Sequence, residues 1–223
     1  MLIGPNGGRF RLVIFDWDGT IVDSTGAIAE SIMLASADLG YPLRDPGVAS
    51  YVIGLGLRDA LALAVPQLPE SQYGVLADRY KHHFLARDAN VNAFSGVEAM
   101  LGRLTKRGHC LGVATGKSSA GLSRSLEATG LRRFFRATRC ADQSAPKPSP
   151  EMIFELMDEI GVGGEQTLMI GDTTHDIRMA QNAGISCVAV TYGAHRADDL
   201  AQMEPLACID SVGELDGWLQ KNA

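Results

Sequence analysis

Asp16-Trp17-Asp18-Gly19-Thr20 sets two carboxylates two residues apart, directly after the apolar run Leu12-Val13-Ile14-Phe15. The run reads as a buried strand, so both carboxylates stand where a strand ends, and Gly19 lets the chain turn. Carboxylates at the C-terminal end of a parallel strand face the ligand crevice of an open α/β sheet. Two anions this close repel each other unless a cation or a shared proton lies between them. The pattern predicts metal-assisted chemistry, with one carboxylate as nucleophile and the other as acid/base.

Three more polar clusters sit at strand ends or helix starts. Thr115-Gly116-Lys117-Ser118-Ser119 follows Leu111-Gly112-Val113-Ala114. Lys147-Pro148 precedes a helix that should open at Ser149-Pro150, with Ser as N-cap and Pro at the first helical position. Gly171-Asp172-Thr173-Thr174-His175-Asp176 follows Leu168-Met169-Ile170. Four carboxylates, Asp16, Asp18, Asp172 and Asp176, offer hard oxygen ligands of the kind Mg²⁺ takes. A hydroxyl, a glycine amide and the N-terminus of the next helix make a cradle for an oxyanion or phosphate, and a lysine adds fixed positive charge. Together these parts suit phosphoryl transfer, which depends on charge neutralisation and in-line positioning.

The elements that must hold these clusters are legible in the hydrophobic pattern. Strand-like runs fall at residues 12–15, 110–115, a weaker 136–139, 167–170, 186–190 and a short 206–209. Helical patterns lie between them, at about 97–107, 118–129, 149–160, 174–183 and 211–221. This alternation predicts a doubly wound, Rossmann-like α/β core, a parallel sheet covered on both faces. Residues 24–94 break the rhythm, because a crossover of that length is too long for one helix and two loops. Ile28, Ile32, Ala35 and Leu39 form one apolar helical face, residues 59–65 a short helix, and residues 69–88 a longer one. The reading is a helical domain at residues 23–94 inserted into a core made of 1–22 and 95–223, with Gly96 as a candidate hinge.

Composition narrows the class. The chain has 223 residues, 46% of them hydrophobic and 21% charged, and a net charge of −6. That is ordinary for a globular protein with a real core. Without a basic stretch, a nucleic-acid partner is not expected. No apolar run has the length of a membrane span, so no membrane partner is expected either. Residues 1–11 read as a frayed arm rather than a signal peptide. Cys110, Cys140, Cys187 and Cys208 form no CxxC pair; Cys110 and Cys187 read as buried free thiols, which fits a reducing, cytoplasmic setting. The expected partner is a small phosphorylated metabolite, and the expected state a monomer or weak dimer.

The four clusters, in this order and over nearly the whole chain, resemble the haloacid dehalogenase superfamily of hydrolases. The helical insert after the first strand is similar to the cap of the subgroup that includes phosphoglycolate phosphatase. Trp17 departs from the phenylalanine usual between the first two aspartates. The resemblance implies roles. Asp16 would attack phosphorus, and Asp18 would protonate the leaving oxygen and then deprotonate the hydrolytic water. Mg²⁺ would be held by Asp16, the Asp18 backbone carbonyl and Asp172, with Asp176 acting directly or through water. Thr115 and the Gly116 amide would bind the transferring phosphoryl, and Lys147 would neutralise its charge. A phosphomutase of the β-phosphoglucomutase type uses the same aspartyl-phosphate, and a receiver-type signalling domain uses a similar carboxylate cluster.

Other residues carry weaker expectations. Asp23 and Ser24 read as the cap of the first insert helix. Lys117 is a possible substrate contact beside the cradle, His175 an exposed helix-start residue, and His82-His83 a solvated face. Arg58 follows the Gly54-Leu55-Gly56 loop. It is suited either to bidentate contact with a substrate anion or to an ion pair on the helix surface.

Overall fold

The computed structural model describes residues 9–88 and 91–223; the expected N-terminal arm thus lies, up to residue 8, outside the described residues. The chain runs β1 (Leu12–Phe15), α1 (Thr25–Asp38), α2 (Pro46–Tyr51), α3 (Leu57–Ala64), α4 (Tyr73–Asp88), α5 (Val97–Lys106), β2 (Cys110–Thr115) and α6 (Ser119–Thr129). It continues through β3 (Ala137–Cys140), α7 (Glu151–Ile160), β4 (Thr167–Gly171), α8 (Thr174–Asn182), β5 (Ser186–Val190), α9 (Ala197–Ala201), β6 (Cys208–Ile209) and α10 (Val212–Asn222). The six strands form one all-parallel sheet in the order β3-β2-β1-β4-β5-β6. The chain leaves β1 towards β2 and β3, then returns to lay β4 on the other side of β1. The switch in direction opens a crevice at the C-terminal ends of β1 and its neighbours, where ligands bind in such sheets.

Strand alternation explains the two layers. Val13, Phe15, Leu111, Val113, Leu168, Ile170, Val188 and Val190 point to one face and pack under α5, α6 and α10. Leu12, Ile14, Met169 and Ala189 point to the other and pack under α7, α8 and α9. The strands read as continuous apolar runs because both faces are covered. A third core, built on Ile28, Ile32, Ala35, Leu61, Leu76 and Phe84, belongs to the helices inserted between β1 and β2. The insert's two connections lie side by side. Val22 bridges Ala93 in antiparallel fashion, the Asp23 amide donates to the Asn92 carbonyl at 2.9 Å, and the Phe94 amide donates to that of Ile21 at 3.0 Å.

Small departures have local causes. The short α2 and α9 have too few residues to show a helical period. The third strand lies one residue later than expected, and the sixth is only Cys208–Ile209. The helix after Lys147 begins at Glu151 rather than Pro150; Ser149 Oγ still accepts from the Glu151 amide, at 3.4 Å. Cys187 is buried as expected, whereas Cys110, at the first position of β2, is only half-buried. No described helix is long and apolar enough to cross a membrane.

Trp17 is fully buried. Its ring meets Phe135 edge to face at 5.8 Å, and its indole N–H donates to Ser125 Oγ at 2.8 Å. The turn that carries Asp16 and Asp18 is thereby tied to α6 by a hydrogen bond that a phenylalanine could not make. Ser125→Ala should lower stability by about 1–3 kcal/mol, because it strands a buried donor. On a Trp17→Phe background the same change should cost far less, as measured by urea denaturation. Equal costs in the two backgrounds would show that this hydrogen bond does not hold the turn.

Candidate active site

Each cluster is placed by local chain chemistry. Asp16 follows β1 directly, and the amide of Asp16 donates to the Ile170 carbonyl at 2.9 Å. Gly19 has φ +82°, and a Cβ there would run into the Asp172 carboxylate, so only glycine fits this turn. Asp176 is placed by a capping box at the start of α8. The Thr173 hydroxyl accepts from the Asp176 amide at 3.3 Å, and Asp176 Oδ2 accepts from the Thr173 amide at 3.0 Å. Ser118 caps α6 by accepting from the Gly121 amide, which sets Thr115 and Gly116 at the mouth of β2.

Asp16, Asp172 and Asp176 converge. One carboxylate oxygen from each lies within 4.8 Å of the others, and all three residues are buried. Lys147 is buried with them, its Nζ 2.7 Å from Asp16 Oδ1 and 2.6 Å from Asp176 Oδ1. Burial alone would push the lysine pKa down, but the charges of Asp16 and Asp176 outweigh it and hold the ammonium well above its ordinary value. Asp16 is driven well above the carboxylate range by burial, against the pull of Lys147, with Asp176 and Asp172 adding repulsion. Asp172 is pushed up to about 7 by burial and then by Asp176. The Ala194 amide at 2.7 Å and the Thr20 hydroxyl at 2.8 Å offset this in part.

Magnesium fits these residues. Both carboxylate oxygens of Asp16 are buried, and their one close polar neighbour is the Lys147 ammonium, 2.7 Å from Oδ1. A buried carboxylate with Oδ2 unpartnered, beside two further carboxylates, belongs to a hard-oxygen donor set suited to a dication. Asp176 has both oxygens engaged, one by Lys147 and the other by Thr173. Asp16 and Asp172 are thus the stronger candidate ligands.

The fourth carboxylate stands apart from this trio. Asp18 Oδ1 accepts from Ser24 Oγ at 2.6 Å and from Lys117 Nζ at 2.8 Å. Ser24 occupies the N-cap position of α1, but its side chain makes no capping bond and is spent on Asp18 instead. Asp18 can offer a metal its backbone carbonyl while its carboxylate faces these donors. Thr115 is buried, with Oγ1 accepting from the Lys117 amide at 3.2 Å. A Cβ on Gly116 would strike the carbonyls of Leu55 and Gly54, so the loop after α2 lies directly over this glycine.

Arg58 does not join the cluster. Its guanidinium donates to Glu70 at 2.8 Å, with both side chains more than three-quarters exposed at 76% and 81%. The surface ion pair, one of its two expected roles, is the one it plays in this structure. His175 departs from the expected exposed position: it is half-buried, and its Nε2 reaches the Tyr51 carbonyl at 2.9 Å. His195, not anticipated from the sequence, reaches the same carbonyl at 2.9 Å. The Thr174 amide donates to His195 Nδ1 at 3.1 Å, so Nε2 must carry the proton and donate to Tyr51. The Tyr51 ring stacks on His195 at 5.2 Å. His195 lies in an irregular loop after β5, where no spacing rule marks a site. Thr20 and Ser24, by contrast, were noted in the first cluster and as a helix cap; the structure adds their partners, Asp172 for Thr20 and Asp18 for Ser24. His82 is exposed as expected, while His83 is half-buried against Asp38 at 2.8 Å.

A parallel sheet with polar clusters at its C-terminal ends, three buried carboxylates around one lysine and a helical insert after the first strand together define the class of fold and the candidate site. Residues 13–190 match the family described as haloacid dehalogenase-like hydrolase, and the chain belongs to that family. It is 37% identical over 212 residues to a probable phosphatase, IndB, of Dickeya dadantii, covering 92% of each chain. It is 31% identical to a phosphoglycolate phosphatase of Agrobacterium fabrum, covering 92% of this chain and 90% of the relative. The fold is similar to that of a predicted phosphatase from Clostridium acetobutylicum, with a TM-score of 0.84, 24% identity, and coverage of 96% and 100% of the two chains.

The raised carboxyl pKa values give a pH dependence. Unfolded, Asp172 loses its proton near pH 4; folded and without metal, it holds the proton up to about 7. Between those values the unfolded state binds fewer protons, so this residue's contribution to stability falls as pH rises. A dication needs the deprotonated carboxylates and opposes that loss. The gain in melting temperature on adding Mg²⁺ should therefore be larger at pH 8 than at pH 5. Equal gains at the two pH values would argue against these carboxylates as the ligands.

Proposed function

We propose that this chain is a Mg²⁺-dependent phosphomonoester hydrolase acting on a small phosphorylated metabolite. The observation that carries the reading is the convergence of the buried Asp16, Asp172 and Asp176 beside the buried Lys147. When bound, Mg²⁺ would neutralise charge on the carboxylates and on the phosphoryl group. Asp16 is the nucleophile. One of its oxygens attacks phosphorus, the bond from phosphorus to the leaving oxygen breaks, and an aspartyl-phosphate forms. Asp18 delivers a proton to the departing alkoxide, then removes one from the water that attacks the aspartyl-phosphate, releasing phosphate and restoring Asp16. The Thr115 hydroxyl and Gly116 amide hold the phosphoryl oxygens, and Lys147 balances charge at the nucleophile.

The relatives' names favour phosphoglycolate or a similar small polar phosphate as the substrate class. The core motifs engage only the phosphoryl group, so discrimination falls to the cap loop over Gly116. Arg58 would contribute there only by exchanging Glu70 for a substrate anion. The cap also separates this chain from a receiver-type switch, which has no need to enclose a leaving group.

Asp16→Asn should abolish turnover of p-nitrophenyl phosphate with Mg²⁺, because an amide is a poor nucleophile. The folded state should survive, with a denaturation midpoint equal to or above that of the wild type, since one charge leaves a repelling trio. Activity above about one percent of wild type would remove Asp16 from the role.

A further inference from the structure

Lys117 does more than stand beside the phosphoryl cradle. Its Nζ donates to Asp18 Oδ1 at 2.8 Å, and the same ammonium lies 4.8 Å from the centre of the Phe84 ring. Lys117 and Asp18 belong to the core, on the loops after β2 and β1. Phe84 belongs to α4 of the cap and is buried in the cap's own core. The ion pair is nearly closed to solvent, its side chains 12% and 9% exposed. Ser24, where the chain enters the cap, donates to the same oxygen at 2.6 Å. Two donors therefore meet at Asp18 Oδ1, and one of them is covered by an aromatic ring of the cap.

Resting on the hydrolase reading, we propose that Lys117 and Phe84 are positioning residues that aim the Asp18 carboxylate only when the cap is seated. Two donors occupy Oδ1, which leaves Oδ2 as the oxygen that handles the proton. The aromatic face over Nζ attracts the cation and excludes water from it, and an ion pair shielded from water is stronger than a solvated one. With the cap lifted, Phe84 leaves with α4, the ammonium is hydrated, and its hold on Asp18 falls to that of an exposed pair. Alignment of the acid/base is thus tied to cap closure. This differs from a substrate contact, because Lys117 acts through Asp18 and not on the leaving group.

The test compares leaving groups through kcat/KM, which reports on the steps up to leaving-group departure. p-Nitrophenolate leaves without a proton, whereas the alkoxide of glycerol phosphate needs one and carries no charge for Lys117 to bind. Lys117→Met should lower kcat/KM for glycerol phosphate by about 10- to 100-fold, part of the worth of a general acid, and that for p-nitrophenyl phosphate by about threefold or less. Phe84→Leu, which keeps an apolar side chain in the cap core, should give the same selective loss at smaller size, and Phe84→Tyr, which keeps the ring, should retain wild-type selectivity. Equal falls on both substrates, or a Phe84→Leu variant with wild-type selectivity, would overturn the proposal. A fall confined to phosphoglycolate, whose leaving group carries a carboxylate, would make Lys117 a substrate contact and also overturn it. Wild-type protein that turns over none of the three substrates would overturn the hydrolase reading itself, and this inference with it.

Discussion

Three carboxylates held within 4.8 Å of one another in a buried site repel, and with one buried ammonium beside them Asp16 and Asp172 still hold their protons more tightly than ordinary carboxyls. Much of the local architecture answers that constraint. Asp172 receives the Ala194 amide and the Thr20 hydroxyl, and Asp176 receives the Thr173 amide and hydroxyl along with Lys147. Asp16 has the Lys147 ammonium, 2.7 Å from Oδ1, as its one close polar neighbour, and its Oδ2 is buried without a partner. Such a cluster stores electrostatic strain that a bound cation relieves, so metal affinity and folding stability are linked.

Among the contacts between the cap and the core, three involve core loops that carry the polar clusters. Gly54 and Leu55 lie over Gly116 in the cradle. The Tyr51 carbonyl is held by His175 and His195, next to the Asp172–Asp176 segment. Phe84 covers Lys117, which holds Asp18. Asp16, by contrast, follows β1 directly, and its amide is tied to the end of β4. On the proposed hydrolase reading this division has a physical logic: a nucleophile must be rigid, whereas an acid/base that works on a leaving group gains from being set after the leaving group is enclosed. The paired connections, with Val22 bridged to Ala93, give the cap a short two-stranded base.

Much of the core was legible in the sequence. The runs at 12–15, 110–115 and 186–190 coincide with β1, β2 and β5, because strands buried on both faces are uninterrupted apolar stretches between turn residues. The class of fold followed from their alternation with helices. Asp16, Lys147, Asp172 and Asp176, which the structure brings together, lie at strand ends or before a helix start, places that local sequence marks. Tertiary structure decided what local pattern does not encode. It turned Ser24 from helix capping to Asp18, set His195 beneath Tyr51, gave Trp17 a partner 108 residues away in Ser125, and paired Arg58 with Glu70 on the surface. Each of these depends on which donor and acceptor the folded backbone brings together, and no periodicity within a segment records that outcome.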